Sequence, residues 1–490
     1  MNKRILLVEP AYKTKYPPLG LMKIATYHKS KNDDVVFVKG CKKDGVEYQY
    51  WDRVYISTLF TWTWEETVKT INFYRNILFD FSSKCFIGGI LASLMHRELY
   101  NATGIQPVIG LLDDPKKLNQ DDNTIIDSLS PDYSILEKGE NDNFQYSNTD
   151  AYLGYMTRGC IRNCKFCAVK TLEPTYVSYI DMKPIVNKIE QNSGKKQNLV
   201  LMDNNVLASN KFDTIIDDII SMGFTKNAVF GPNKRKRIVD FNQGLDARLL
   251  TEHKMQRLAE IPLAPMRLAF DSIDQKDAYV RAVRLAHKYG QRDMSNYILY
   301  NYEDSPEDFY ERLRINIDLN EEFKNGDDTR TIIYSFPMRF IPLNAKTRSI
   351  DTGNNHWNLR YLRGLQLILN VMKGPVMPGR EFFLQAFGRN SEEFKMILLM
   401  PDEFIRNRLV DNWRVLPDYE SRLMPYVKDW MNDYFSLGTE LKELLIKILA
   451  SNNKVIIENS YQDISAKKVL KMLKCHLKDA EIVSQYKEIR

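Results

Sequence analysis

Short apolar runs alternate with longer amphipathic stretches along most of the chain, and this alternation constrains the fold more than any other feature. Alternation of this kind predicts a parallel, doubly wound α/β sheet. We therefore expect a Rossmann-like (flavodoxin-like) domain over residues 1–145. Its predicted strands are Ile5 to Val8, Val35 to Val38, Val54 to Ile56, Cys85 to Ile87 and Pro107 to Ile109.

The alternation continues after residue 150 with longer helices. Ser305 to Asp308 supplies an N-cap, a first-turn proline and a capping-box acid, and predicts a helix that runs to about Asn320. Another helix is predicted from about Gln275 to Tyr289. Repeated β/α units of this kind predict a partial, TIM-like β/α barrel over residues 150–345.

Two further segments set the domain boundaries. Lys138 to Asp150 is acidic and rich in Asn, has no apolar period, and predicts a linker or edge loop. Beyond about Thr352 the pattern is mostly helical, and its Met and aromatic residues are expected to fill a core rather than bind a cofactor. We predict a helical C-terminal domain over residues 352–490, and a chain of 490 residues suits three such domains.

Composition excludes several classes of protein. A hydrophobic fraction of 44% with 27% charged residues is typical of a folded globular chain. The run from Ile5 to Val8 is too short for a signal-peptide core, and no apolar run could span a membrane, so we expect a cytoplasmic protein without membrane contact. A net charge of +6 would attract a polyanion only weakly, and the basic run Lys234 to Arg237 predicts a solvated loop, with RNA binding left open.

Three of the six cysteines lie within eight positions, in Thr157-Arg158-Gly159-Cys160-Ile161-Arg162-Asn163-Cys164-Lys165-Phe166-Cys167. Three thiolates on one short loop can ligate three irons of a cubane iron–sulfur cluster, whose fourth iron then needs an outside ligand. A structural zinc site usually needs four protein ligands, and an electron-transfer cluster would need a distant fourth cysteine. The remaining cysteines, Cys41, Cys85 and Cys475, are scattered.

The CxxxCxxC spacing, with Phe166 before the last cysteine, resembles the radical S-adenosylmethionine (SAM) superfamily. The resemblance implies that Cys160, Cys164 and Cys167 bind a 4Fe-4S cluster whose unique iron is chelated by SAM. An electron from the cluster then cleaves SAM to methionine and a 5'-deoxyadenosyl radical, and an external donor such as a flavodoxin or ferredoxin supplies that electron. Ile161 stands where related sequences commonly have proline.

Arg158-Gly159 and the run Pro17 to Leu21 resemble the subgroup that carries a cobalamin-binding-type domain ahead of the barrel. In that domain Ser57-Thr58-Leu59 and Gly88-Gly89 match the Ser-x-Leu and Gly-Gly elements, which makes Ser57, Gly88 and Gly89 candidate cofactor-binding residues. The Asp-x-His-x-x-Gly element with the lower cobalt ligand is missing. Two interpretations stay open: cobalamin bound without a histidine ligand, or a vestigial domain that binds substrate or covers the barrel.

Polar residues follow apolar runs repeatedly in the predicted barrel, as they should at the ligand end of its strands. The five runs are Leu199 to Met202, Ile238 to Phe241, Leu268 to Phe270, Tyr297 to Leu299 and Ile332 to Ser335. Asp and Asn side chains can hydrogen-bond the SAM ammonium and ribose, and an Arg can pair with a carboxylate. Besides Phe166, the candidate cofactor-binding residues of the barrel are Asp203, Asn205, Gln243, Asp246, Arg248 and Asp271.

By the same resemblance, Asp203 to Asn205 fall where the superfamily has its Gly-Gly-Glu stretch for the SAM amino group, although that motif is absent as written. Asp246, Arg248 and Asp271 have an alternative interpretation as helix caps or a structural ion pair. His253 and His287 sit beside charged neighbours on predicted helices and are assigned no role.

The leading hypothesis is therefore a radical enzyme that acts on an unactivated C–H bond, with the outer domains closing the barrel against water and oxygen. Bound cobalamin would make methyl transfer the leading reaction; without it, radical rearrangement, thiolation or another SAM-derived transfer is equally favoured. A hypothesis from another class is a non-catalytic iron–sulfur or zinc adaptor that contacts a protein or nucleic acid through its helical tail. No motif identifies the substrate.

Overall fold

The computed structural model describes residues 2–137, 145–326, 328–349, 356–408, 417–461 and 464–477. The chain divides into two compact units, one of residues 1–267 and 341–349 and one of residues 268–340 and 350–490. Parallel strands and helices occur in both, so the protein is mixed α/β, as predicted. The finer division at 1–145, 150–345 and 352–490 stays a prediction. Within the predicted linker, residues 138–144 lie outside the described residues.

The first unit begins with a four-stranded parallel sheet in the order β2-β1-β3-β4. Residues Ile5 to Val8 of the inner strand β1 are fully buried, as expected for a parallel sheet covered on both faces. The first four predicted strands are confirmed. The strands are β1 (Arg4–Glu9), β2 (Asp34–Lys39), β3 (Arg53–Thr58) and β4 (Cys85–Gly89), and the helices are α1 (Leu19–Lys29), α2 (Trp64–Ile77), α3 (Phe81–Lys84), α4 (Ile90–Leu94) and α5 (His96–Thr103).

The fifth predicted strand, Pro107 to Ile109, is wrong. Val108 donates one backbone hydrogen bond to the carbonyl of Ile87 in β4, at 2.7 Å. In a continuing strand, the amide of Gly110 would donate the next backbone hydrogen bond to β4. Gly110 instead has φ +75° and donates to Ser93 Oγ at 2.9 Å. The left-handed turn at Gly110 therefore leads the chain away from the sheet edge after a single bond.

A second parallel sheet in the first unit has the order β5-β6-β9. The predicted strands that end at Met202 and Phe241 are confirmed in β6 and β9. The basic run Lys234 to Arg237 is not a simple loop, because Arg235 and Lys236 form one strand of a two-stranded hairpin. The elements are β5 (Ala151–Gly154), α6 (Val169–Leu172), α7 (Lys183–Ser193), β6 (Asn198–Leu201), α8 (Phe212–Ser221), β7 (Val229–Phe230), β8 (Arg235–Lys236), β9 (Val239–Phe241) and α9 (Glu252–Leu258).

The boundary between the units falls within β10, and the sheet that includes this strand has the order β10-β11-β12, with β11 and β12 parallel. The three strands predicted here are confirmed, as are both helices. Ser305 Oγ accepts from the amide of Asp308, and the Asp308 carboxylate accepts from the amide of Ser305, which completes the predicted capping box. The elements are β10 (Met266–Ala269), α10 (Lys276–Lys288), β11 (Asp293–Tyr300), α11 (Pro306–Asn325) and β12 (Ile332–Arg339).

The ends of β10 and β11 are tied to α11 by one buried arginine. The Arg312 side chain is 0% exposed and donates to the carbonyls of Phe270, Asp271 and Leu299 at 2.8 to 3.1 Å. It also pairs with the carboxylate of Asp304 at 2.8 Å. A charged side chain so deeply buried is tolerated only because acceptors surround it. Arg312 thereby organises the carboxyl edge of this sheet.

The C-terminal region is mostly helical in its described parts, as predicted. Its Met and aromatic side chains fill a core that includes Trp357, Phe383, Met396 and Met400. None of the helices in the described residues has the length and apolar character that a membrane crossing needs. The helices are α12 (Leu359–Val371), α13 (Arg380–Phe387), α14 (Ser391–Leu399), α15 (Asp402–Asn407), α16 (Pro417–Ser436), α17 (Thr439–Leu449), α18 (Lys454–Tyr461) and α19 (Lys467–Leu477).

Candidate functional site

The three clustered cysteines lie on one loop that runs from the end of β5 to α6. All three are partly exposed, whereas Cys85 is buried in the N-terminal sheet. The amide of Cys167 donates to the carbonyl of Cys164 at 3.0 Å, which closes a tight turn between the last two thiols. Over the described residues, no three or more Cys, His, Asp or Glu side chains are arranged to hold a metal ion. We name residues 157–168 the cysteine loop.

The start of the cysteine loop requires a glycine. Gly159 has φ +70°, a conformation that L side chains rarely adopt. A Cβ at this position would lie 2.6 Å from the carbonyl oxygen of Thr175 and 3.0 Å from that of Glu173. Arg158 and Val177 exchange two backbone hydrogen bonds of 2.9 and 3.0 Å beside this contact. The start of the cysteine loop is therefore packed against the backbone of residues 173–177.

Asp203 lies beneath the first residues of the loop and is 1% exposed. Its carboxylate accepts from the amides of Met156 and Thr157 and from Thr157 Oγ1. Burial raises the pKa of Asp203 to about 6, although the hydrogen bonds from Thr157 and Met156 oppose the rise. This carboxylate holds the cysteine loop, and its contact with a cofactor stays a prediction.

A buried ionic network supports the loop from the other side. Arg158 donates to Glu173 at 2.6 Å and to both carboxylate oxygens of Asp127 at 2.7 and 2.8 Å. Lys23 on α1 pairs with the same Asp127 at 3.0 Å. Glu173 also accepts from the amide of Gly159 at 2.7 Å. Sequence reasoning missed Lys23, Asp127 and Glu173, since no local pattern marks residues whose partners are so distant in the chain.

Asn205 reaches the first cysteine from the turn that follows β6. Its Nδ2 donates to Cys160 Sγ at 3.4 Å and to Asp246 Oδ2 at 3.5 Å. The backbone amide of Arg162 donates to the same sulfur at 3.3 Å. Asn205 Oδ1 is buried and has no partner among the described residues. This oxygen is therefore able to accept a hydrogen bond from a ligand.

Asp246 lies between two arginines. Arg248 Nε and Nη2 donate to its two oxygens at 2.7 and 3.0 Å, and Arg162 Nε donates at 3.1 Å. Burial acts to raise the pKa of Asp246, but the bonds and charges of Arg248 and Arg162 outweigh it, so the pKa is lowered. Asp246 also accepts from the amide of Arg248 and caps the short 3-10 turn 247–249. Asp246 thus forms both the cap and the ion pair with Arg248 that the alternative interpretation predicts.

The remaining predicted barrel residues are placed differently. Gln243 is exposed, and Phe166 is partly buried within the cysteine loop. Asp271 belongs to the second unit, where its carbonyl accepts from Arg312 at 3.1 Å. The structure therefore brings together Asp203, Asn205, Asp246 and Arg248 around the cysteine loop in the first unit.

The predicted cobalamin elements lie at the carboxyl ends of two neighbouring strands. Ser57 pairs with Gly88 and Thr58 with Gly89, at the edge where open parallel sheets bind ligands. A Cβ on Gly89 would lie 2.2 Å from the carbonyl oxygen of Thr58, so this glycine lets two strands approach each other. A Cβ on Gly88 would make only ordinary contacts with Val108, at 3.8 Å.

Two similar solved structures are of TsrM, a radical SAM methyltransferase from Kitasatospora setae. One has cobalamin and a [4Fe-4S] cluster bound, with 14% identity, a TM-score of 0.48, and coverage of 70% of this chain and 77% of TsrM. The other has a tryptophan substrate and a SAM analogue bound, with 14% identity, a TM-score of 0.46, and coverage of 70% and 75%. No protein-family model and no curated protein matches the chain.

Proposed function

We propose that this chain is a radical SAM enzyme whose 4Fe-4S cluster is held by Cys160, Cys164 and Cys167. The observation that carries the proposal is one loop with three partly exposed cysteines, in which Cys160 Sγ accepts from the amide of Arg162 and from Nδ2 of Asn205. Asn205 Oδ1 has no partner among the described residues and could accept a hydrogen bond from a ligand. A structural zinc site usually needs four protein ligands, and the cysteine loop supplies three thiols.

The cysteine loop suits a cubane cluster in three respects. Its thiols are partly exposed, so a cluster can be inserted. Cys160 Sγ already receives two N–H donors, from Arg162 and Asn205, and such donors stabilise a thiolate ligand. In a cubane each thiolate binds a different iron, so the three sulfurs need not converge on one ion.

The surrounding side chains suit SAM. Asn205 Oδ1 would accept a hydrogen bond from the ammonium group, and Arg248, with 36% of its side chain exposed, would face the carboxylate. Asp203 and Glu173 would position the loop. When bound, the cluster and SAM supply reductive cleavage of SAM, with the electron delivered by an external carrier such as a flavodoxin or ferredoxin.

A narrower proposal is cobalamin-dependent methyl transfer. It is supported by Ser57 and Gly88, which pair at the carboxyl edge of the N-terminal sheet, where a nucleotide tail could approach the strand ends. Gly89 gives weaker support to cobalamin binding, because the close approach of the Thr58 carbonyl already requires a glycine at this position. Cobalt content decides between this reaction and a radical reaction without cobalamin.

The test is anaerobic reconstitution of the full chain with iron and sulfide, followed by reduction in the presence of SAM. We expect about four irons per chain, a SAM-dependent change in the EPR signal of the reduced cluster, and release of 5'-deoxyadenosine. Cys164→Ala should abolish all three. Cys41→Ala, the same change at an exposed thiol of the N-terminal domain, should abolish none.

Two results would contradict the proposal. One is zinc bound stoichiometrically in the cysteine loop of protein purified without oxygen. The other is a cluster whose EPR signal does not change when SAM is added, in a protein that releases no 5'-deoxyadenosine. That is the behaviour expected of an adaptor. Cobalt measured in the same samples reports on methyl transfer without affecting the broader conclusion.

A further inference from the structure

Asn205 makes a contact to Cys160 that SAM binding does not require. The side chain is 3% exposed, and its Nδ2 lies 3.4 Å from Cys160 Sγ. The backbone of Asn205 is also held in place, because Tyr176 donates its hydroxyl to the Asn205 carbonyl at 3.1 Å. The amide is therefore a fixed donor to this sulfur.

The orientation of the amide follows from its two anionic neighbours. Nδ2 faces Cys160 Sγ and Asp246 Oδ2, and a flipped amide would turn Oδ1 towards a thiolate and a carboxylate. Asp246 keeps its negative charge because Arg248 and Arg162 both donate to it. Repulsion thus disfavours the flipped form, and the N–H stays on the sulfur.

A fixed N–H donor acts on an iron–sulfur cluster by stabilising negative charge at the ligand sulfur. Reduction adds one electron to the cluster, so the donor favours the reduced state more than the oxidised state. The effect is strengthened in a buried, weakly polarisable surrounding. We propose that Asn205, through its hydrogen bond to Cys160, raises the reduction potential of the cluster. Asn205 acts through the sulfur ligand and is therefore a positioning residue, which makes uptake of the electron more favourable. This inference rests on the proposed function.

The experiment compares reduction potentials in the absence of SAM, so that the role of Oδ1 in ligand binding does not contribute. Asn205→Leu keeps the shape of the side chain and removes the N–H, and Asn205→Ala removes both shape and donor. Asn198→Leu is the matched control, since Asn198 is half-buried at the beginning of β6, the strand that leads to Asn205. EPR-monitored redox titrations of reconstituted full-length protein give the midpoint potentials.

We expect the potential to become more negative in both Asn205 variants and to stay at the wild-type value in Asn198→Leu. We also expect electron–nuclear double resonance of the reduced cluster in D₂O to lose one exchangeable deuteron coupling in Asn205→Leu. A wild-type potential in both Asn205 variants overturns the inference. So does failure of both variants to hold a cluster, because Asn205 would then be structural.

These outcomes are distinct from failure of the proposed function. If wild-type protein takes up zinc or no cluster, the proposed function fails before any potential is measured. If wild-type protein holds a cluster that cleaves SAM and its potential does not depend on Asn205, only this inference fails.

Discussion

Glu173 accepts a hydrogen bond from the backbone amide of Gly159 at 2.7 Å, where the cysteine loop begins. The same carboxylate pairs with Arg158 at 2.6 Å and accepts from Asn204 at 2.8 Å. One buried acid thus joins Arg158 and Gly159, near the start of the cysteine loop, to Asn204 in the turn after β6. The geometry of Cys160 therefore depends on a side chain that follows the loop in the chain.

Replacing Glu173 with Gln should destabilise the first unit. The change leaves a buried arginine with less compensating charge, and loss of one partner of a buried ion pair costs about 3 kcal/mol. Urea unfolding of the full chain, followed by circular dichroism, would show the lower midpoint. Glu322→Gln is the control, since its pair with Arg284 is exposed and should cost about 1 kcal/mol or less. Equal effects of the two changes would contradict this prediction.

Replacing Gly159 with Ala should reduce the iron content of the reconstituted protein severely. The new methyl group would meet the carbonyl oxygen of Thr175 at 2.6 Å, so the loop must shift. Gly194 is a matched control, because it also has a positive φ, +74°, but a Cβ there meets nothing within 4 Å. We expect Gly194→Ala to cost about 1 to 3 kcal/mol of stability through backbone strain, since its ψ is 169°, and no iron. Iron and sulfide analysis of both variants checks this, and full loading of Gly159→Ala would refute it.

Asp203 should make the stability of the first unit fall as the pH rises from about 4 to about 6. Its carboxyl has a pKa of about 6 in the folded protein, against about 3.9 in an unfolded chain. The folded state therefore holds the proton more tightly, and its contribution is complete below the unfolded pKa and lost as the pH passes the folded pKa. The difference corresponds to about 3 kcal/mol.

The measurement for Asp203 is the unfolding free energy at several pH values in wild type and Asp203→Asn. The wild type should lose about 2 kcal/mol more than the variant between pH 4 and pH 7, because Asn does not titrate. Other acids titrate equally in both proteins and cancel in the comparison. Parallel pH profiles would show that Asp203 does not titrate in this range.

Arg312→Met should destabilise the second unit by about 3 to 5 kcal/mol, because Asp304 and three strand-end carbonyls lose their buried donor. The double variant Arg312→Met with Asp304→Asn should recover part of this loss, since no uncompensated charge is left. A double-mutant cycle from urea unfolding gives the coupling between the two residues. Additive effects would mean that the carbonyl bonds, and not the ion pair, dominate.

Local patterns in the sequence were sufficient for most of the secondary structure and for the cysteine motif. The capping box of Ser305 and Asp308 and the strands before Asp203 and Asn242 are set by residues within one turn or one run, so periodicity and capping reveal them. The strand predicted at Pro107 to Ile109 failed because a single residue, Gly110, turns the chain away from the sheet.

Only the tertiary structure decided what each polar side chain does. Asp203, Asn205 and Asp246 look alike in sequence, since each follows an apolar run, yet one holds the loop, one bonds Cys160 and one pairs with two arginines. Glu173 carries no sequence signal at all. The physical reason is that hydrogen bonds and ion pairs depend on distances between chain segments, and those distances exist only after the strands have paired.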